Sequence, residues 1–356
     1  MKKTILHLID SLGRGGSELM LVNLLGDLSN IYEVILVTLN ENSDFSTGQL
    51  ICYKRYCLNY QSPKDLPFAV LKLRKIIKRH KPALVRTDLY WSTIIGRLAC
   101  PKKIPFVFAI HSPLGSDAFL KNRASLFLEK WTYNKRQAII GVSKFVLDDY
   151  RKYIDIKGKY FVLNNYVDQK FFDQHYNFQK QLSGKIKLVA VGNLKEAKNY
   201  EFLLNAIGTI KDEADISLDI IGEGPLKDRL MKIVNKGNLP VNFLGKKENI
   251  YELLPSYTAF IMCSHYEGFG NSAVEAMAVG LPLILNDKNI MREMSKANAL
   301  FFESDNCISL GNLVTNLKNK EEELSALSEK GKFIARKNYT KEKYVTGLLS
   351  IYDGIA

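Results

Sequence analysis

The chain has 356 residues, 46% of them hydrophobic and 24% charged. That length suits two domains, and the composition is that of an ordinary globular enzyme. No apolar run approaches the roughly 18–20 residues that a membrane-spanning helix needs, so no such helix is expected. The five cysteines (Cys52, Cys57, Cys100, Cys263, Cys307) are scattered and odd in number. They argue against a disulfide framework or a zinc site, and for reduced thiols.

The formal net charge is +13, and residues 1–166 alone hold 26 Lys/Arg against 13 Asp/Glu. The whole excess therefore sits in the first half, which implies an anionic partner for it. The opening MKKTILHLIDSLGRGG has too short an apolar part for a secretory signal and reads as a first β-strand.

Strand and helix patterns alternate along the first half. Thr4–Ile9 and Glu33–Leu39 read as buried strands flanking a helix over Ser17–Leu28. Pro82–Arg86, Pro105–Ile110, Ala138–Val142 and Tyr160–Leu163 continue the strand series. Asp168–Ser183 turns polar and aromatic and reads as a linker. The alternation then restarts: strand Lys187–Gly192, helix Tyr200–Ile210, strand Ser217–Ile221, helix Pro225–Asn235, and strands Val241–Leu244, Ala259–Cys263 and Pro282–Leu285. From Lys320 to Ala356 the pattern is helical. Such alternation implies parallel, doubly wound sheets, in which ligands bind beyond the carboxyl ends of the strands. Two facing domains of this kind would form a cleft.

The most informative segment is HYEGFGNSAVEAMAVGLPLIL, from His265 to Leu285. It sets Glu267 and Glu275 eight positions apart around Gly268-Phe269-Gly270-Asn271. Glu267 should lie on a loop. Glu275 should lie in a helix running from about Ser272 to Val279. Glycines before a helix N-terminus admit an anionic group close to unpaired backbone amides, with a carboxylate on either side for hydroxyls. The Ser272–Glu275 spacing also fits a capping box, a purely structural role for Glu275. Other loops after strands carry Gly13-Arg14-Gly15-Gly16-Ser17-Glu18, His111-Ser112, Gly192-Asn193-Leu194-Lys195-Glu196-Ala197-Lys198, Gly222-Glu223-Gly224-Pro225 and Phe243-Leu244-Gly245-Lys246. The first is not GxGxxG, so a dinucleotide is not implied. Taken alone, His111 would be structural and Lys198 a solvated surface residue.

These segments together resemble the retaining family-four glycosyltransferases, whose signature is Glu, seven residues, Glu, with Gly-Phe-Gly after the first. The likeness covers nearly the whole chain and is strongest from Lys187 to Leu285. It implies an α/β fold of two facing Rossmann-like domains (GT-B), with a C-terminal helix crossing back to the first. The expected bounds are 1–168 (with 340–356) for an acceptor domain and 184–339 for a donor domain. The implied activity moves a sugar from a nucleotide-diphosphate sugar, UDP foremost, to a saccharide or lipid-linked saccharide in bacterial surface polysaccharide or lipopolysaccharide synthesis.

By the same resemblance, Glu267, His111 and Lys198 are the catalytic residues. Gly15, Gly16, Asn193, Lys198, Gly268, Phe269, Gly270, Asn271, Ser272 and Glu275 bind the donor, with Glu275 on the ribose. Asn193 stands where the family has an arginine and brings no charge. Phosphate binding then leans on Lys198, the helix N-terminus and Arg14. No metal or other cofactor is expected. A nucleotide-sugar epimerase on this scaffold, or a non-catalytic donor-binding subunit, are the alternatives.

Two basic segments, Leu71–Lys81 and Phe119–Arg136, mix cations with apolar residues. Leu71, Ile76 and Ile77 are candidates for a buried face of the first. The second carries Phe119, Leu120, Leu126, Phe127, Leu128 and Trp131 among Lys121, Arg123, Lys130, Lys135 and Arg136. Basic amphipathic helices suit an anionic membrane surface. The expected location is the cytoplasm, peripheral on the inner face of the membrane. No recognisable nucleic-acid module is present, so nucleic acid is not an expected partner.

Overall fold

The computed structural model describes residues 2–13, 15–116, 122–182 and 184–355. The chain divides into two compact units, Met1–Asn165 with Glu342–Ala356, and Tyr166–Lys341.

Among the described residues the first unit is built on seven strands: β1 (Thr4–Ile9), β2 (Glu33–Thr38), β3 (Lys54–Cys57), β4 (Leu84–Asp88), β5 (Phe106–Ile110), β6 (Gln137–Gly141) and β7 (Tyr160–Val162). They pair in the order β3-β2-β1-β4-β5-β6-β7, and every pairing is parallel. A parallel sheet is covered on both faces, which is why β1, β2, β5 and β6 read as nearly unbroken apolar runs. Strand β3, KRYC, is not visible to a hydrophobic pattern. It lies at the sheet edge, where exposed Lys54 and Arg55 guard against stray pairing.

The helix Leu66–His80 covers this sheet with Ala69, Val70, Leu73, Ile76 and Ile77. Leu71, expected on that face, is instead 53% exposed, because it falls outside the helical stripe those five define. The last helix, Lys341–Ile355, buries Tyr344, Leu348, Ile351 and Tyr352 and returns to the first unit. The rings of Tyr32 and Tyr352 meet edge to face at 6.2 Å.

Among the described residues the second unit has six strands: β8 (Ile186–Val191), β9 (Ile216–Ile221), β10 (Val241–Gly245), β11 (Ala259–Met262), β12 (Leu283–Asn286) and β13 (Leu300–Phe302). Their order is β10-β9-β8-β11-β12-β13, again all parallel. β13 is only three residues long, too short for a periodic signal.

The segment read as a linker is folded. It forms short helices at Gln169–Phe172 and Phe178–Leu182, the first capped by the Asp168 carboxylate accepting from the Lys170 amide at 3.0 Å. It belongs to the second unit because its aromatic residues pack there: Phe171 and Phe172 are buried, and the Tyr176 hydroxyl donates to the Thr258 carbonyl at 3.0 Å. Val167 is tied to the end of the same unit, its amide donating to the Tyr339 carbonyl at 2.8 Å.

Candidate functional site

Each sheet reverses its winding beside its first strand, and a crevice at the carboxyl ends of the strands is expected at that switch point. In the second unit the switch lies between β8 and β11. The loops that follow these two strands carry Lys198 and Glu267. The lysine Nζ donates to Glu267 Oε1 at 2.5 Å, and the Ser264 hydroxyl donates to the same oxygen at 2.7 Å. Lys198 is therefore paired and partly buried, not a solvated surface lysine. Glu267 is held from two sides through one oxygen, and Oε2 takes no part in either bond.

Directly after Glu267 comes the helix Asn271–Val279. Its N-cap is Gly270 at φ +90°, with no side-chain cap. That backbone conformation excludes a side chain at little less than about 1 kcal/mol. Here the capping-box reading fails. Ser272 lies inside the helix, and its hydroxyl donates to the Val191 carbonyl at 3.0 Å, which docks the helix start against the end of β8. Glu275 is thus released from capping. Burial first, and the nearby Asp168 second, push its carboxyl up to about 7, against the pull of Lys198. Phe269 is buried and meets the ring of Tyr339 edge to face at 5.3 Å, so it anchors the loop, with Gly268 half-buried and Gly270 buried on either side of it.

Neighbouring loops stack on this one through their backbones. The Gly192 amide donates to the Ile221 carbonyl at 2.9 Å, and the Gly222 amide to the Gly245 carbonyl at 2.9 Å. A Cβ on Gly222 would lie 2.1 Å from the Gly192 carbonyl oxygen, so only glycine fits that crossing. Asn193 is exposed on the β8 loop.

In the first unit the switch point lies between β1 and β4. Here the structure assembles a group that only His111 announces in the sequence. Asp88, the last residue of β4, accepts from His111 Nε2 at 2.7 Å through Oδ1. Its Oδ2 takes His7 Nε2 from β1, and Arg86 donates to both oxygens at 3.2 Å. Arg86 in turn donates to the hydroxyls of Tyr352 and Tyr344 at 3.3 and 3.4 Å. Burial alone would raise Asp88. Arg86, His7 and the His111 hydrogen bond together hold its carboxyl well below the usual range. Burial lowers His7 against the pull of Asp88, which favours its neutral form.

An ionised Asp88 can only accept, so Nε2 of both histidines carries the proton. In a neutral imidazole so oriented, Nδ1 of His111 would be the lone-pair acceptor. Leu89, next in the chain, sits at φ +74° and ψ 170°, a region costing a non-glycine residue about 1–3 kcal/mol and typical of functional loops.

Gly15 is the N-cap of the helix Gly16–Ile31. A Cβ there would meet Glu18 Oε2 at 2.3 Å, so the glycine makes room for the folded-back Glu18. Arg14, Phe119, Leu120 and Lys121 lie outside the described residues.

Sequence reading missed Ser264, Asp168, Asp88, Arg86 and His7. Ser264 and Asp88 were findable as polar residues at strand carboxyl ends. The strand read as Pro82–Arg86 stopped two residues short of Asp88.

Two family models match end to end: "Glycosyltransferase Family 4" over residues 14–171 and "Glycosyl transferases group 1" over residues 173–333. A Campylobacter jejuni N-acetylgalactosamine-N,N'-diacetylbacillosaminyl-diphospho-undecaprenol 4-alpha-N-acetylgalactosaminyltransferase is 27% identical, over 80% of this chain and 81% of its own. The Escherichia coli O-antigen biosynthesis glycosyltransferase WclY is 21% identical over 99% of this chain and 98% of its own. Among solved structures, Anabaena HepE in complex with UDP and glucose superimposes with a TM-score of 0.82 at 16% identity, over 98% of this chain and 99% of that one. At that identity the likeness is one of fold.

Proposed function

The chain belongs to the family-four glycosyltransferases, and on that premise we propose that it moves a sugar from a UDP-sugar to a saccharide or lipid-linked saccharide, with retention at the anomeric carbon and without a metal. The observation that carries this reading is Glu267, fixed by Lys198 and Ser264 immediately before an uncapped helix N-terminus at the sheet's switch point. The UDP held by HepE and the diphospho-undecaprenol acceptor of the Campylobacter enzyme support the choice of donor and acceptor. Surface polysaccharide assembly is the setting in which WclY is named.

In this reading Glu267 Oε2 and the amides of Gly268–Asn271 hold the sugar hydroxyls and phosphate. Glu275 takes the ribose hydroxyls. The bond from the anomeric carbon to the diphosphate oxygen breaks while charge builds on that oxygen. Lys198 and the dipole of the helix Asn271–Val279 stabilise it. The acceptor oxygen attacks the same face, and its proton passes to the departing phosphate. These two protein charges stand where a cation would otherwise serve, which is the ground for metal independence. Asn193 donates hydrogen bonds without charge. In the first unit, the Nδ1 lone pair of His111 suits a sugar hydroxyl as hydrogen-bond donor.

We assign peripheral attachment to the cytoplasmic face of an anionic membrane to the exposed apolar residues of the first unit. Among the described residues no helix is long and apolar enough to cross a membrane. Phe127 and Trp131 are 66% and 65% exposed beside Lys130, and Phe68 is 75% exposed beside Lys72, a pattern that suits an interfacial helix.

The test is a thermal-shift screen against UDP, GDP, ADP and CMP and their sugars, followed by anomer analysis of the product with and without EDTA. A shift with the UDP series, an α product from an α donor, and turnover unchanged by EDTA are expected. No shift with any nucleotide would sink the donor reading.

A further inference from the structure

The carboxyl edge of the first sheet carries the Asp88 group. The opposite, amino edge holds a cavity of about 1010 Å³, at the upper end of the range for ligand pockets. It opens where Pro82, Pro105 and Gln137 lead into β4, β5 and β6. Strand β5, five residues long, separates it from His111 by about 17 Å of extended chain. It is therefore a different place from the site described above.

Its lining is chemically one-sided. Arg74, Lys78, Lys81, Lys102, Lys103 and Arg136 surround it, and among the described residues no Asp or Glu lines it. None of these six cations makes a salt bridge among the described residues. The guanidinium of Arg74 donates to the Leu98 carbonyl at 2.8 Å. The seventh cation, Arg97, is buried and neutralised by Glu129 at 2.8 Å, so it forms part of the base rather than the charge. Between the cations lie the apolar Ile77, Leu98, Ile104 and Phe106, with Thr132, Asn134 and Gln137 as uncharged polar groups at one side. Lys81 is also held at φ +46° as the C-cap of the helix Leu66–His80, where glycine or asparagine would sit without strain.

Six unpaired cations crowded round one concavity repel each other, and a local rule broken without structural gain marks a functional position. Cations on the rim and carbon on the floor match a phosphate joined to an apolar chain. We propose that this cavity binds the phosphate group of an amphiphilic phosphate ester, the phosphate on Lys102, Lys103 and Arg136 and the apolar portion on the Ile77–Leu98–Ile104 floor. It is a second anion site on the sheet edge away from the transfer chemistry. Membrane phospholipid and a free phosphate ester share this chemistry.

The purified full chain would be titrated by calorimetry with decyl phosphate below its micelle threshold, and with decanol and inorganic pyrophosphate. Saturable binding of decyl phosphate, at least tenfold tighter than either fragment, is expected. The exposed triple variant Lys102→Glu, Lys103→Glu, Arg136→Glu should weaken it at least tenfold. Lys232→Glu, Lys236→Glu and Lys318→Glu in the second unit should leave it within twofold. No binding of decyl phosphate, equal binding of pyrophosphate, or equal loss in both triple variants would overturn the assignment, the last by reducing it to net charge. Co-sedimentation with phosphatidylglycerol vesicles separates the sources. Loss in the first triple variant alone identifies a lipid headgroup, while unchanged sedimentation with lost decyl phosphate binding identifies a free ester.

Discussion

Glu275→Gln should make the protein more stable and a poorer enzyme, and pH should separate the two effects. The carboxyl is pushed from 4.5 to about 7, chiefly by burial. In the unfolded chain it loses its proton near the ordinary value, while the folded chain keeps its proton until about pH 7. Between those limits the folded state binds more protons, so stability falls as pH rises, and the full penalty is present above about pH 7. At about 1.4 kcal/mol per tenfold, the penalty is about 3 kcal/mol. Glutamine has no charge to bury.

At pH 8 the variant should melt higher by about 6–12 °C for a unit of this size, and at pH 5 only about a quarter of that gain should remain. Differential scanning calorimetry at the two pH values reads this directly. Donor affinity should move the other way, ten- to a hundredfold weaker, because a carboxylate accepting hydroxyls is worth about 1.5–3 kcal/mol. In the wild type, donor binding near pH 7 should release protons, visible as a buffer-dependent binding enthalpy. An equal gain in melting temperature at pH 5 and pH 8 would refute the claim that burial penalises ionised Glu275. Undiminished donor binding would refute its place on the ribose.

Lys198→Ala removes the partner of Glu267 and the charge facing the leaving diphosphate. It should lower kcat/KM about a hundredfold or more, with Lys198→Arg recovering part of it, and a loss confined to KM would contradict the role in the transition state. Asp88→Asn keeps the shape of the buried group but frees the His111 tautomer. The pH profile of kcat should change along with its size, whereas a uniform drop at every pH would indicate structural damage alone. Gly222→Ala drives a Cβ against the Gly192 carbonyl. It should cost about 3 kcal/mol as overpacking and strain combine, checked by chemical denaturation of the isolated variant.

What the sequence determined by itself was what nearest neighbours along the chain control. Apolar runs broken by glycine and proline located eleven of the thirteen strands among the described residues to within two residues at every end, since a buried parallel strand must be apolar on both faces. The two it lacked, Lys54–Cys57 and Leu300–Phe302, are an exposed polar edge and a three-residue piece with no period to detect. The loop from Glu267 to Glu275 was legible because glycine, carboxylate and helix start sit within nine positions.

Tertiary structure decided what depends on contacts between distant segments. Lys198 meets Glu267 across 69 residues of chain, and Arg86 reaches Tyr352 across 266. Ser272 was freed from capping by a hydrogen bond to Val191, 81 positions away. Ionisation followed the same rule. Glutamate 275 and aspartate 88 are equally plain carboxylates in the sequence, yet one is raised and the other depressed. Burial favours the neutral form of both, but Arg86, two positions back on the same strand, is buried with Asp88, and the fold adds His7 and His111 from other strands.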